Sequence, residues 1–218
     1  MAAMLKVYYW PMLARGAPLV RMLEHTGTAY EYISDPSRFA EVCSNKGAQG
    51  NCFAPPVIVD GDTIISQSTA ATAYLGNKLG LTPPGFDQFK AMQFMADIVD
   101  TFEGNLGKHN EQGPALKKFL EGDRFSLLMG NLERGIVGPY YFGAEPSCVD
   151  FFLAAHMDWR VCSLFAPLKA KHGVDALAPF TKVVGVYEEL KKADGWVNYK
   201  TMGPMKPIKD EILDSYNA

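Results

Sequence analysis

Through residue 81 the chain keeps switching between two hydrophobic periods. LKVYYW (5–10) is a short β-prone run, broken by Pro11 and Gly16. APLVRMLEHTG follows with Leu19, Val20, Met22 and Leu23 toward one helical face, and Gly27 as the stop. AYEYI alternates like a half-exposed strand, and PSRFAEVCSNKG reads as a helix with Pro36 in its first turn. PVIVDGDTIIS is a hairpin, two β-branched runs around Asp60-Gly61-Asp62, where Asp-Gly supplies the positive φ of a tight turn. STAATAYLGNKLG is then a helix of small residues. The predicted order is β-α-β-α-β-β-α.

After LTPPGF, β-type alternation largely disappears, since tandem prolines and a glycine continue neither element. FDQFKAMQFMADIVDTFEGNL, PALKKFLEGDRFSLLMGNLERGI, SCVDFFLAAHMDWRVCSLFAPLKAK and APFTKVVGVYEELKKA all favour helices. The expected division is an α/β domain over 1–81, a linker over 82–86 and an all-α domain over 87–218. The tail, NYKTMGPMKPIKDEILDSYNA, has prolines enough to bend back over a pocket or to run free of one.

Composition narrows the function classes. Of 218 residues, 48% are hydrophobic and 21% charged, which suits a globular chain with a substantial core. The net charge of −3 argues against a nucleic-acid surface, which needs clustered Lys and Arg. No apolar run approaches the roughly eighteen residues of a membrane span. The start, MAAMLKVYYWPM, lacks the apolar core of a signal peptide, so a cytoplasmic protein is expected. Cys43, Cys52, Cys148 and Cys162 include no C-x-x-C pair and no zinc spacing, so they read as reduced thiols, and no metal is expected.

The hairpin carries features an ordinary hairpin does not need. Pro55 and Pro56 precede an apolar strand, and the next strand ends in Gln67-Ser68. An X-Pro bond adopts cis at a cost of only about 0.5–1 kcal/mol. A proline entering a strand also leaves ladder positions unpaired, so that local backbone can serve a ligand. At the other end a strand hands over to a helix, whose exposed N–H groups and partial positive charge attract carboxylates. Gln67 and Ser68 add an amide and a hydroxyl, a set suited to an amino-acid head group. The two features lie at opposite ends of the hairpin in sequence, and a short extended peptide is expected to bridge them.

The segment P-V-I-V-D-G-D-T-I-I-S-Q-S followed by A-A-T-A-Y-L resembles the glutathione-binding hairpin of cytosolic glutathione transferases. The resemblance covers nearly the whole chain and implies a thioredoxin-like first domain and a helical second domain. It implies a cis bond at Pro56, a γ-glutamyl site at Gln67 and Ser68, and glutathione as co-substrate. Ser147-Cys148-Val149-Asp150, after Pro146, matches the capping box of that family's helical domain. The resemblance further implies a homodimer acting on small apolar electrophiles, with detoxification as its biological setting.

Only a thiolate is a good nucleophile. With a thiol pKa of about 8.5, making the thiolate dominate at pH 7 needs a shift worth roughly 2.7 kcal/mol. One hydrogen bond to a charged acceptor contributes about 1.5–3 kcal/mol, so a single hydroxyl suffices. Tyr8 and Tyr9 are the candidates, and as strand neighbours they face opposite ways. The family's tyrosine classes, sigma- or mu-like, place Tyr-aromatic-x-hydrophobic and then Arg-Gly here, which Tyr9-Trp10-Pro11-Met12 fits with Leu13-Ala14 standing before Arg15-Gly16. The resemblance therefore points to Tyr9 as the catalytic hydroxyl, to Trp10 beside the peptide, and to Lys46 for the glycyl carboxylate, with Arg38 and Arg15 as alternatives.

Two positions depart from the family. The residue before the cis-proline normally gives the peptide both its N–H and its C=O, but Pro55 has no N–H. The acid that family members reach from the partner's first long helix aligns with Asn105, so no residue is carried over there. The electrophile is expected between the domains, near Trp10, Met12, Leu13, Phe102, Leu106 and Tyr199 or Met205. Isomerisation or peroxide reduction on the same thiolate, and a non-catalytic binding or structural protein of this fold, are the alternatives.

Overall fold

A computed structural model describes residues 4–192, 202–203 and 205–218. Four short strands form one mixed sheet in the order β2-β1-β3-β4. β1 (Leu5–Tyr8) runs parallel to β2 (Tyr30–Ile33) and antiparallel to β3 (Val57–Asp60), which pairs with β4 (Thr63–Ser66). Between β1 and β2 lies α1 (Ala17–His25), and α2 (Ser68–Lys78) follows β4. Gly27 stops the chain after α1 at φ +64°, and Gly61 turns the hairpin at φ +58°, both left-handed positions that favour glycine.

The segment after β2 differs from expectation. In place of an α-helix the chain makes two 3₁₀ turns, Pro36–Glu41 and Ser44–Lys46. Phe39, Val42 and Cys43 are all buried, but Cys43 is extended (φ −102°, ψ 121°) and Gly47 turns left-handed (φ +103°), which breaks the segment into two short turns.

The remainder is helical: α3 (Gln88–Val99), α4 (Leu106–His109), α5 (Gly113–Leu120), α6 (Asp123–Gly135), α7 (Cys148–Arg160), α8 (Ala166–His172) and α9 (Thr181–Lys191). Two π-helical segments interrupt it, Asp100–Asn105 between α3 and α4 and Val161–Phe165 between α7 and α8. A final short helix, Asp210–Asp214, lies in the tail.

Alternation along β1 divides the apolar interior in two. Leu5, Val7 and Tyr9 join a core that continues through α1 and α2 into α7, while Tyr8 packs with Ile33, Phe39 and Val57 on the other face. α7 is the hub. Almost all its side chains are buried, and a Cβ added at Gly76 of α2 would lie 2.3 Å from Cys148 Cβ. Its start is fixed by the Ser147–Asp150 motif: the fully buried Asp150 carboxylate accepts from the backbone N–H of Ser147 (2.8 Å) and of Tyr141 (2.9 Å), and from Ser147 Oγ (2.6 Å).

Candidate functional site

Sheet register, more than sequence distance, assembles the site. Tyr8 pairs with Val57, and Val57 pairs with Ser66, so these three share one row across the sheet. The next positions outward are Tyr9, Pro56 and Gln67. This corrects the expectation that the proline and Gln-Ser features stand at opposite ends of the hairpin. The antiparallel ladder brings both to its open end, beside the end of β1.

The Pro55–Pro56 peptide bond is cis. Pro56 is buried and Pro55 half-buried. Next to them Gln67 holds φ +68° and ψ 123°, a left-handed value rare outside glycine, which costs of order 1 kcal/mol or more. That backbone turn starts α2 abruptly. Among the described residues no side chain caps this helix, so its first-turn amides keep their capacity for an anion. Gln67 is exposed, and Ser68 is buried at the first helical position.

Tyr9 is 7% exposed, and its backbone N–H donates to Ile33 (3.1 Å). Its ring lies flat against the start of α1: a Cβ on Gly16 would sit 2.3 Å from Tyr9 Cγ, so glycine is required there for this approach. Burial pushes the Tyr9 hydroxyl up to about 12, while the Arg15 and Gly16 amides and the Arg15 charge pull it down and Glu103 pushes it up. The phenol is thus protonated at neutral pH and able to donate. Tyr8 is otherwise engaged. Its hydroxyl donates to Glu41 on the opposite face (2.6 Å), and burial with that carboxylate raises its pKa.

Beside Tyr9 lies a charge network that the sequence did not reveal. Glu103, in the first π-helical segment, accepts from Arg15 Nε (2.6 Å) and meets His156 Nε2 (3.0 Å), whose Nδ1 faces the Phe152 carbonyl (2.9 Å). Burial works against the Glu103 carboxylate, but His156 and Arg15 hold it below its ordinary range. The network ties the loop after β1 to α7. The signal was present in sequence as charged and polar residues inside apolar helical segments, which solvent-exposed faces also produce.

The cations proposed for a glycyl carboxylate are now distinguishable. Arg15 is committed to Glu103, and Arg38 to Glu41 (2.7 Å) and Glu31 (2.9 Å). Lys46 is exposed, at the end of the second 3₁₀ turn, with no ion pair among the described residues. Trp10 turns toward the Phe39 face, 4.4 Å between ring centroids, and its carbonyl accepts from Tyr32 (2.6 Å).

The expected electrophile walls are only partly available. Leu13, Phe102 and Leu106 are core residues, packed away from solvent. Met205 does line a cavity, and Tyr199 lies outside the described residues. The tail does return to this end of the molecule, since Leu13 N–H donates to Gly203 (2.9 Å) and Gly203 N–H to Pro11 (3.1 Å).

No protein-family model and no curated protein matches the sequence. Solved structures match its shape. Prostaglandin synthase D of Nilaparvata lugens superimposes with TM-score 0.65 at 16% identity, over 93% of this chain and 100% of that one. The glutathione S-transferase from Ascaris lumbricoides gives 0.66 at 14%, over 90% and 96%. A glutathione transferase family member from Pseudomonas fluorescens, with two glutathione molecules bound, gives 0.67 at 18%, over 92% and 93%. The chain has the glutathione-transferase fold. Its thioredoxin-like first part and helical second part are those of that fold, and at these identities the likeness speaks for architecture alone. Among the described residues there is no cluster of potential metal ligands and no helix long and apolar enough to cross a membrane.

Proposed function

We propose that the protein is a cytoplasmic glutathione transferase of the tyrosine type, sigma- or mu-like, and that Tyr9 supplies the catalytic hydroxyl. The observation that carries this reading is the open end of the sheet, where Tyr9, the cis Pro55–Pro56 bond and the uncapped Gln67–Ser68 helix start follow directly on the paired row Tyr8, Val57 and Ser66. In this reading the γ-glutamyl carboxylate sits on the first-turn amides of α2 with Ser68 Oγ, and Gln67 takes the rest of the head group. The Pro55 carbonyl and cis Pro56 hold the cysteinyl backbone. Lys46 pairs with the glycyl carboxylate, and Trp10 borders the peptide. The sulfur then lies at Tyr9, whose buried and protonated hydroxyl donates to the thiolate. The activated sulfur attacks a small apolar electrophile, and detoxification is the role that follows.

The first part, 1–81, holds the peptide and the helical part, 87–218, the electrophile, with 82–86 joining them. Assembly as a homodimer is part of this proposal. It is supported by a surface groove of about 820 Å³ between α2 and α3, with Met92 in its wall, and by an exposed Phe89 nearby. A non-catalytic glutathione-binding protein is the second reading, favoured by the donor missing at Pro55. Conjugation of glutathione to chlorodinitrobenzene decides between them. Turnover supports the transferase. Retention on immobilised glutathione with no turnover of any electrophile, isomerisation and peroxide substrates included, supports the binding protein, and failure of both rejects the site.

A further inference from the structure

A second feature stands apart from the glutathione reading and does not rest on it. Cys43 and Cys52 are nine residues apart in sequence, a spacing that carries no redox or zinc motif. In the fold they stand at the two mouths of one loop, 44–51. Ser44 N–H donates to the Cys52 carbonyl (2.8 Å) and Asn45 N–H to the Phe53 carbonyl (3.2 Å), so two backbone bonds close its neck. Apart from the half-buried Ala48, every residue of the loop is exposed, Lys46 included.

That closure sets the distance between the two cysteines. A hydrogen bond from the residue after one to the carbonyl of the other holds their Cα atoms about 5–6 Å apart, inside the roughly 4.4–6.8 Å that a disulfide spans. Both residues belong to the same small core, with Tyr8, Ile33, Phe39 and Val57. Cys43 is fully buried and Cys52 is 6% exposed, and both are free thiols. Burial raises the Cys43 thiol, Cys52 pushes it the same way and Lys46 pulls it down, so the two thiols are close enough to feel each other's charge. Cys148 belongs to the other core, and Cys162 lies 3.9 Å from Asp158.

We propose that Cys43 and Cys52 are a reversible modification site, which a low-molecular-weight disulfide oxidises to a cystine that staples the neck of the 44–51 loop. The Cys52 thiolate, the less buried of the two, attacks one sulfur of the oxidant. The oxidant's S–S bond breaks, and its other half leaves as a thiol after taking up a proton. Cys43 then loses its proton, and its thiolate attacks the Cys52 sulfur and releases the second half as a thiol. Two cysteine thiols are oxidised and one small disulfide is reduced to two thiols. Ser44 and Asn45, which donate the neck bonds, are exposed, so local opening of the loop admits the reagent. The staple fixes the loop that carries Lys46, and a thiol reductant releases it.

Incubation of the native full chain with cystamine, a disulfide without a glutathione head group, tests this apart from the glutathione site. Peptide mapping by mass spectrometry is expected to find Cys43 joined to Cys52 with the loss of two hydrogens, and neither joined to Cys148 or Cys162. Closing a loop of this length is expected to raise Tm by about 5–10 °C, and dithiothreitol is expected to reverse the rise. Amide hydrogen exchange across 44–51 is expected to slow in the oxidised protein. Cys43→Ala is expected to keep half of the cystamine on Cys52 as a mixed disulfide, and neither it nor Cys52→Ala is expected to gain stability. A lasting mixed disulfide on Cys43 or Cys52 of wild type, a link to Cys148 or Cys162, or no oxidation would each overturn the proposal. So would a crosslinked protein whose Tm is unmoved or lower, or an equal rise in the variants. The wild-type peptide map decides the matter if a variant fails to fold.

Discussion

Replacing Tyr9 by Phe removes one hydroxyl and leaves a ring that still fits against Gly16. If that hydroxyl donates to the glutathione sulfur, its loss withdraws a hydrogen bond to a charged acceptor, about 1.5–3 kcal/mol. Each pKa unit is worth about 1.4 kcal/mol, so the bound thiol should titrate roughly one to two units higher in the variant. At pH 7, from a wild-type thiol lowered to about 6.5, the thiolate fraction, and with it kcat/KM for chlorodinitrobenzene, should fall about 3- to 25-fold. Because the ring remains, affinity for S-methylglutathione, which has no thiol to ionise, should hardly change. The assay is ultraviolet absorbance of the bound thiolate against pH, alongside conjugation kinetics. Tyr8→Phe is the control, since the Tyr8 hydroxyl is bound to Glu41 on the other face. Conjugation by Tyr9→Phe within twofold of wild type, with an unmoved thiol pKa, would refute the reasoning.

Other perturbations probe the surroundings. Pro55→Val restores a backbone donor beside the cis bond and should tighten glutathione by about 1 kcal/mol, roughly fivefold, by calorimetry; no change would place the peptide elsewhere. Burial is the main cause of the raised Tyr9 pKa, and Glu103→Gln removes a smaller contribution in the same direction while leaving Arg15, so the Tyr9 phenol should titrate below its present value of about 12. In wild type that raised pKa means the folded state keeps its proton where the unfolded chain, near 10, loses it. This part of the stability is complete below pH 10 and disappears as pH rises toward 12. Phenolate absorbance of Glu103→Gln minus that of its Tyr9→Phe double variant measures the shift, and an unchanged or higher value contradicts it. Asp150→Ala strands three buried donors at the head of α7 and should cost about 3 kcal/mol, lowering Tm by roughly 6–12 °C; a shift under 2 °C or so would mean the motif is not what holds α7.

The first part of the fold was legible because its punctuation is local. Asp60-Gly61 marks the hairpin, Gly27 ends α1, and the alternation through Tyr8 and Tyr9 separates the two faces of β1. Residues 36–46 read as one helix because Pro36 and the residues after it resemble a helix start, whereas the extended Cys43 that divides them into two turns leaves no mark in the apolar pattern. For the site, Pro56, Gln67 and Ser68 were visible as a motif, but their meeting with Tyr9 is a property of antiparallel register and of no single stretch. Glu103, His156 and Arg160 were illegible for another reason. A charge on a helix looks the same in sequence whether it faces water or a partner from a distant element, and the His156–Glu103 and Arg160–Phe102 contacts span 53 and 58 residues.

The central claim concerns where one small peptide lies. A crystal structure of the protein with glutathione tests it most directly. The account predicts the sulfur within hydrogen-bonding distance of the Tyr9 hydroxyl, the cysteinyl backbone against cis Pro56, and the γ-glutamyl carboxylate on the first turn of α2 at Ser68. Glutathione seated away from Gln67 and Ser68, or with its sulfur turned from Tyr9, would contradict it.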